Sequence, residues 1–256
     1  MAKKPSVNIP AIHVVRLIVF LFIGLVLFAC YARAVEFLTT SQLFAVRDVM
    51  IDASIQFVDT GDLRRLKGRN IFKVDIQKLQ DKIKAQYPQI AQLQVVRQLP
   101  DRIKVLAQKR DALVQAIVKG KVLLIDTEGV AMYYAASAVD LPVVQCELGA
   151  PSKIILGAPL ASKSIHLAVQ MVRRFKAAAH LSRLKITSLD LFNLSRIDLT
   201  VGQGLHVILD QDNYASKLEM LELMAAQKKI DFTQFKYVDL RFNEPILGEH
   251  PKLESK

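Results

Sequence analysis

The 256-residue chain has no tryptophan, two cysteines and five histidines, which removes several classes of site at once. Cys30 and Cys146 are far apart in the sequence, so they give no disulfide framework for a small secreted fold. The histidines are scattered, without the helical pair of a metalloprotease or the spacing of a zinc site. The sequence therefore predicts neither a metal nor a cofactor.

Glycine and charge are distributed in ways that argue against nucleotide and nucleic-acid binding. Gly202-Gln203-Gly204 lacks the third glycine and the strand-to-helix context of a dinucleotide loop, so it predicts a hairpin turn. The formal net charge is +11, but Lys and Arg are interleaved with Asp and Glu. This pattern predicts a mixed, solvated surface facing an anionic envelope and no nucleic-acid partner.

A run of apolar residues from Leu17 to Ala32 carries no charge and is followed by Arg33 and Glu36. Basic residues precede the run, so the sequence predicts one transmembrane helix with a cytoplasmic N-terminus. We assign residues 1–13 to a cytoplasmic tail and 14–34 to the helix. Two other readings stay open: a signal peptide cleaved near Ala32-Arg33-Ala34, and lipidation at Cys30. All three export the rest of the chain.

The exported part predicts two α+β domains. In residues 42–110 the pattern is strand, helix, helix, strand, strand, with Asp75 capping the second helix and Pro88 ending it. Residues 111–247 predict a mixed β domain with helices, and residues 248–256 a disordered tail. The domain includes a helix capped by Ser162 or Ser164, one capped by Asp212 or Asn213, and a final strand, Phe235 to Phe242.

One motif resembles an enzyme site. Asp59-Thr60-Gly61 follows two apolar residues, as the catalytic carboxylate of an aspartic protease does. That chemistry requires a second carboxylate sharing one proton. The nearest second copy, Asp126-Thr127-Glu128-Gly129, has Glu128 in place of the required glycine. We therefore predict that the chain is not an enzyme, with an anchored aspartic protease as a remote alternative.

An ordered set of short motifs resembles the FtsQ/DivIB family of bacterial cell-division proteins, which carry a POTRA domain and a β domain behind one membrane helix. The set comprises the following segments: Gly68-Arg69-Asn70-Ile71-Phe72-Lys73-Val74-Asp75, Tyr87-Pro88, Val96-Arg97-Gln98-Leu99-Pro100-Asp101, Leu124-Ile125-Asp126, Leu141-Pro142 and Tyr237-Val238-Asp239-Leu240-Arg241-Phe242. Two departures stand out: Gln108-Lys109-Arg110-Asp111-Ala112 after the POTRA part, and Asn243-Glu244-Pro245 after the final strand.

The resemblance implies a non-enzymatic, single-pass scaffold of the inner membrane, with its body outside the cytoplasm at the division septum. It implies FtsB- and FtsL-like partners, which add a strand along the last strand of the β domain, and contacts of the POTRA domain with other membrane-bound division proteins. The matching partner-binding positions are Tyr237, Arg241, Phe242 and Glu244. Pro245 cannot donate a ladder hydrogen bond and raises the question of a shortened strand.

POTRA domains also occur in envelope transport and secretion proteins. A transport or secretion scaffold is therefore the first alternative to the division scaffold.

Overall fold

The computed structural model describes residues 11–52, 61–148, 154–227 and 234–249, without the side chains of residues 11–14 and 62. These residues form an α+β protein, as predicted. Two compact units are present: residues 1–81 with 93–107, and residues 82–92 with 108–256. Asp59 and most of the predicted C-terminal tail lie outside the described residues.

The first helix, α1, spans Ala11–Thr40 and is the one helix among the described residues that is long and apolar enough to cross a membrane. Its apolar part, Val15–Thr40, has a mean hydropathy of 2.5, and none of its side chains is buried in the protein. The helix is longer than the predicted 14–34 at both ends. At the C-terminal end the Thr39 and Thr40 hydroxyls donate to backbone carbonyls one turn back, at 2.8 and 2.6 Å, which satisfies acceptors within the last turns.

The POTRA region contains the predicted order of elements. They are β1 (Asp48–Ile51), α2 (Gly61–Arg64), α3 (Ile76–Gln86), β2 (Ile90–Gln98) and β3 (Arg102–Lys109). The sheet order is β1-β3-β2, with β1 parallel to β3. Asp75 caps α3 as predicted, because its Oδ1 accepts from the Lys78 amide at 3.0 Å. The predicted first strand begins later than expected, because Ala45 and Val46 pair with residues 68–70 and not with β3.

The second unit is built on one nine-stranded mixed sheet. Its strands are β4 (Ala112–Val118), β5 (Lys121–Asp126), β6 (Ala131–Ala135), β7 (Val143–Gln145), β8 (Ile186–Asp190), β9 (Ile197–Val201), β10 (Leu205–Leu209), β11 (Phe235–Asp239) and β12 (Ile246–Glu249). The strand order is β12-β11-β10-β9-β8-β7-β4-β5-β6. Two helices, α4 (Lys163–Ala177) and α5 (Tyr214–Ala226), contribute to the same hydrophobic core as the strands.

Helix α4 is capped by the Ser162 hydroxyl, which accepts from the Ile165 amide, so the first of the two predicted caps is the one used. Helix α5 begins after Asn213, as one of the two predictions had it. However, Asn213 has a left-handed backbone (φ 56°), and its side chain makes no capping hydrogen bond. The predicted capping interaction is therefore wrong there, since the left-handed backbone does not aim the side chain at the amides of the first turn.

The C-terminal end of the sheet differs most from the sequence prediction. The strand expected from Phe235 to Phe242 ends at Asp239, and β12 follows it and pairs antiparallel with it. Gly248 and Glu249, predicted as the start of a disordered tail, belong to β12. The strand ends early because the Asp239 side chain accepts from the Arg241 amide at 3.1 Å, which bends the chain away from the ladder. Pro245 lies directly before β12 and does not interrupt it.

Candidate functional site

The predicted docking strand is not the edge of the sheet. Strand β11 is paired on both sides, parallel to β10 and antiparallel to β12. Among the described strands, β12 pairs with β11 alone and forms one end of the sheet. The prediction that the strand from Phe235 to Phe242 offers the free edge is therefore corrected, and the free backbone belongs to β12. Sequence reasoning missed this strand because Pro245 and Gly248 flank its short apolar segment.

Tyr237 holds β12 in place by packing on its glycine. The two residues are opposite each other in the β11–β12 ladder. A Cβ atom added at Gly248 would lie 2.1 Å from the Tyr237 ring, so the aromatic ring covers the glycine directly. This packing is the usual way in which an aromatic side chain compensates for a glycine in a strand. Tyr237 is therefore a residue that shapes the edge, with its ring still partly exposed.

Arg241 forms a tight ion pair within the domain. Its Nη2 and Nε donate to Asp239 Oδ2 and Oδ1 at 2.7 and 3.0 Å. Asp239 is only 6% exposed, so its charge depends on this partner. The hydrogen bond from the guanidinium lowers the pKa of Asp239 below its ordinary value, and the same bond raises the pKa of Arg241 above its ordinary value.

Phe242 and Glu244 lie in the connection between β11 and β12, and both are exposed. The Phe242 ring is 53% exposed, although the alternation of Val238, Leu240 and Phe242 predicted a common face. Val238 and Leu240 are fully buried. The Arg241 guanidinium carbon lies 5.6 Å from the centroid of the Phe242 ring, within the range of a cation–π contact. The structure thus brings Tyr237, Arg241, Phe242 and Glu244 to one end of the sheet.

Two further exposed apolar side chains flank the free edge. Ile246 is 45% exposed and Leu247 is 38% exposed, and they point to opposite faces of β12. Together with Phe242 they give the edge an apolar surface on both sides. Neither residue was predicted, although two adjacent large aliphatic residues before the tail were a usable signal.

A surface depression lies beside this edge, on the face of the sheet that carries Tyr237 and Asp239. Its floor contains His206, which pairs through Nδ1 with Asp198 Oδ1 at 2.8 Å. Arg196, Lys236 and Ile208 complete the lining. The depression therefore offers charged side chains of both signs next to the apolar edge.

The residues that could have supported catalysis have structural roles where they are described. Asp126 Oδ1 accepts from the Glu128 and Val130 amides, both at 2.8 Å, and Oδ2 accepts from Arg110. This carboxylate is buried and closes the β5–β6 turn. Within the described ranges, no group of three or more His, Cys, Asp or Glu side chains could hold a metal ion.

Comparison with known proteins gives two family matches that together cover most of the chain. The model "Cell division protein FtsQ/DivIB, C-terminal" matches residues 112–241, and "POTRA domain, FtsQ-type" matches residues 44–110. The first match alone covers half of the chain.

The chain belongs to the FtsQ/DivIB family.

A curated relative agrees with this assignment. The chain is 22% identical over 211 residues to a protein named "Cell division protein FtsQ" from Koribacter versatilis (strain Ellin345). The alignment covers 77% of this chain and 58% of the relative, so the chain spans little more than half of that protein's length. The predicted family, its POTRA region and its association with cell division are confirmed, and family membership points to a non-enzymatic protein.

Proposed function

We propose that this chain is a single-pass scaffold of the division machinery that binds FtsB- and FtsL-like proteins along β12, outside the cytoplasm. The observation that carries the proposal is the free edge of β12 with apolar side chains on both of its faces. Helix α1 anchors the protein in the inner membrane with the N-terminus in the cytoplasm. By family analogy, the POTRA domain contacts other membrane proteins of the septum.

An edge strand is a suitable docking element because the backbone amides and carbonyls on its outer side have no partner strand. A strand from a partner can pair with the outward amides and carbonyls of β12, and side chains at alternate positions then select the partner. Ile246 and Leu247 would pack on either side of the added strand, and Phe242 would cover its end. We infer that Tyr237 supports this edge by holding Gly248, and that Glu244 lies at its entrance.

Arg241 is better placed to support the docking edge than to pair with an acidic side chain of a partner. Its charge is already matched by the nearly buried Asp239, so a partner carboxylate would compete with an existing ion pair. We infer that Arg241 shapes the bend before β12 and presents Phe242, and that it contributes to binding through these two contacts.

Two proline substitutions test the docking edge. Adjacent strand residues direct their amides to opposite sides, so one of Ile246 and Leu247 donates toward β11 and the other toward the free edge. Ile246→Pro and Leu247→Pro are made separately in the full chain, and each is measured for thermal unfolding and for binding to an FtsB-like protein. One variant should lose stability. The other should keep its melting temperature and lose binding.

The matched control is proline at an exposed site away from the edge, such as Lys163→Pro at the first position of α4, where proline is well tolerated. It should leave binding unchanged. One proline variant removes the outward amide and should stay folded. Unchanged binding of the FtsB-like protein by this variant would contradict docking on β12.

A further inference from the structure

A strongly basic segment lies next to the end of the membrane helix. Residues 64–73, called here the basic loop, read RRLKGRNIFK, with five basic residues and no acidic one. All five basic side chains are exposed: Arg64, Arg65, Lys67, Arg69 and Lys73. Lys67 lies 3.5 Å from Asp48, and both side chains of that pair are more than half exposed to solvent. Such a pair contributes little, and Arg64, Arg69 and Lys73 add further positive charge at the surface of the segment.

Hydrogen bonds hold the basic loop at the C-terminal end of α1. Asn70 Nδ2 donates to the Leu38 carbonyl at 2.8 Å, and its Oδ1 accepts from the Phe72 amide at 3.0 Å. On the other side, the Arg97 guanidinium donates to the Ile71 and Val74 carbonyls at 3.0 and 2.7 Å. The loop is thus fixed in one conformation beside the helix.

Aromatic packing makes a second connection between the helix end and the loop. Phe44 contacts Phe37 of α1 and Phe72 of the basic loop, with ring centroids 6.0 and 5.2 Å apart, both edge-on. Phe37 and Phe72 remain exposed, as does Leu43 beside them. Exposed aromatic and aliphatic side chains next to basic ones are typical of surfaces at the membrane–water interface.

The length of α1 brings this surface to the level of the lipid headgroups. Arg33 is the first charged residue after the apolar run, and Leu38 follows five residues later, which is about 7.5 Å along a helix. The interfacial layer outside the hydrocarbon core is about 5–8 Å thick on each side. Leu38, and with it the basic loop, therefore lies in or at the outer boundary of this layer.

We propose that the basic loop binds the anionic phospholipids of the outer leaflet of the membrane that α1 crosses. The loop supplies the positive charge, Phe37 and Phe72 supply the interfacial apolar surface, and the bonds from Asn70 and Arg97 fix both at the headgroups. This contact would hold the POTRA region against the membrane independently of any protein partner. It rests on retention of α1 and not on docking at β12.

The absence of tryptophan provides a direct test. The full chain with Phe72→Trp carries one tryptophan, located in the basic loop, and is placed in phosphatidylcholine nanodiscs. Its fluorescence is measured with a small amount of phosphatidylglycerol or phosphatidylcholine that carries a nitroxide quencher near the glycerol. The labelled anionic lipid should quench more strongly, because each basic side chain near the surface favours anionic lipid by about fivefold. High salt should remove the difference.

Charge variants separate lipid binding from folding. Arg64→Gln, Arg69→Gln and Lys73→Gln together should strongly reduce the preference for the labelled anionic lipid, whereas Arg64→Lys with Arg69→Lys should keep the preference. Removing three exposed charges from the second unit, at Lys121, Arg173 and Lys176, is the matched control and should also keep it. Equal quenching by both lipids in the parent, or a preference that the triple change in the basic loop leaves undiminished, would overturn the proposal.

Discussion

Reversing the charge of Arg241 should lower the stability of the β domain, because Arg241 is the ion-pair partner of a nearly buried carboxylate. Asp239 is 6% exposed and accepts three bonds from the Arg241 guanidinium, at 2.7, 3.0 and 3.2 Å. A hydrogen bond to a charged group contributes about 1.5–3 kcal/mol, and a broken, fully buried pair costs about 3–5 kcal/mol. Because Arg241 is partly exposed, we expect the lower end, about 2 kcal/mol, for Arg241→Ala.

Arg241→Glu should cost more, since it places a second carboxylate beside the first. We expect a total of about 4 kcal/mol after solvent screening. For a protein of this size, 1 kcal/mol lowers the melting temperature by about 2–4 °C. The expected losses are therefore about 5 °C for Arg241→Ala and about 10 °C for Arg241→Glu. Circular dichroism of the full chain in detergent micelles measures both, with Arg173→Glu on the exposed side of α4 as the matched charge reversal.

The pH dependence follows from the lowered pKa of Asp239. A carboxyl whose pKa is lower in the folded state stabilises the fold above its unfolded value and loses that contribution as the pH falls through the folded value. The difference between the parent and Arg241→Ala should therefore be complete at neutral pH and shrink as the pH falls through the acidic range in which Asp239 becomes protonated. Unchanged melting of Arg241→Glu together with lost partner binding would refute this reasoning and make Arg241 a binding residue.

Three further predictions concern the edge, the β5–β6 turn and the second cysteine. Gly248→Ala should detach β12, because the new Cβ would lie 2.1 Å from the Tyr237 ring. Calorimetry should show that this variant loses partner binding, and that the double variant with Tyr237→Ala regains part of the binding. Asp126→Ala removes the acceptor of two backbone amides and of Arg110 and should cost about 3 kcal/mol or more in urea unfolding, whereas the exposed Thr127→Ala should cost less than about 0.5 kcal/mol. Burial raises the pKa of the Cys146 thiol to about 11. In a variant with Cys30 replaced by serine, the rate of maleimide labelling of Cys146 should be low at pH 8 and rise about tenfold per pH unit up to about pH 11. Labelling at the rate of a free thiol would show that Cys146 is open to solvent.

Strongly periodic segments were predicted well from the sequence. Ile197–Val201 alternates apolar and polar residues, and Leu205–Leu209 places Leu205, Val207 and Leu209 on one face after a Gly-Gln-Gly turn. Both strands have the predicted bounds. The helix after Asp75 was predicted equally well, since its N-terminal cap, its apolar face and Pro88 beyond its end all indicate the same helix. In these places local chemistry and tertiary packing favour the same conformation.

Other features depend on long-range contacts that no local pattern records. Strand β7 has three residues, too few for a period, and exists because β4 and β8 pair with it on either side. Strand β12 depends on Tyr237 covering Gly248, a cross-strand contact. At the candidate site, the exposure of Phe242 and the ion pair of Arg241 both result from the bend after Asp239. The residue types were identifiable from sequence, and their roles required the fold.

The central claim is that the chain acts as a membrane-anchored scaffold at the division site. The most direct measurement is the position of a full-length fluorescent fusion at the N-terminus, imaged through the cell cycle in its own host. The account predicts a band at the site of constriction. An even distribution around the envelope throughout division, from a stable full-length fusion, would contradict it.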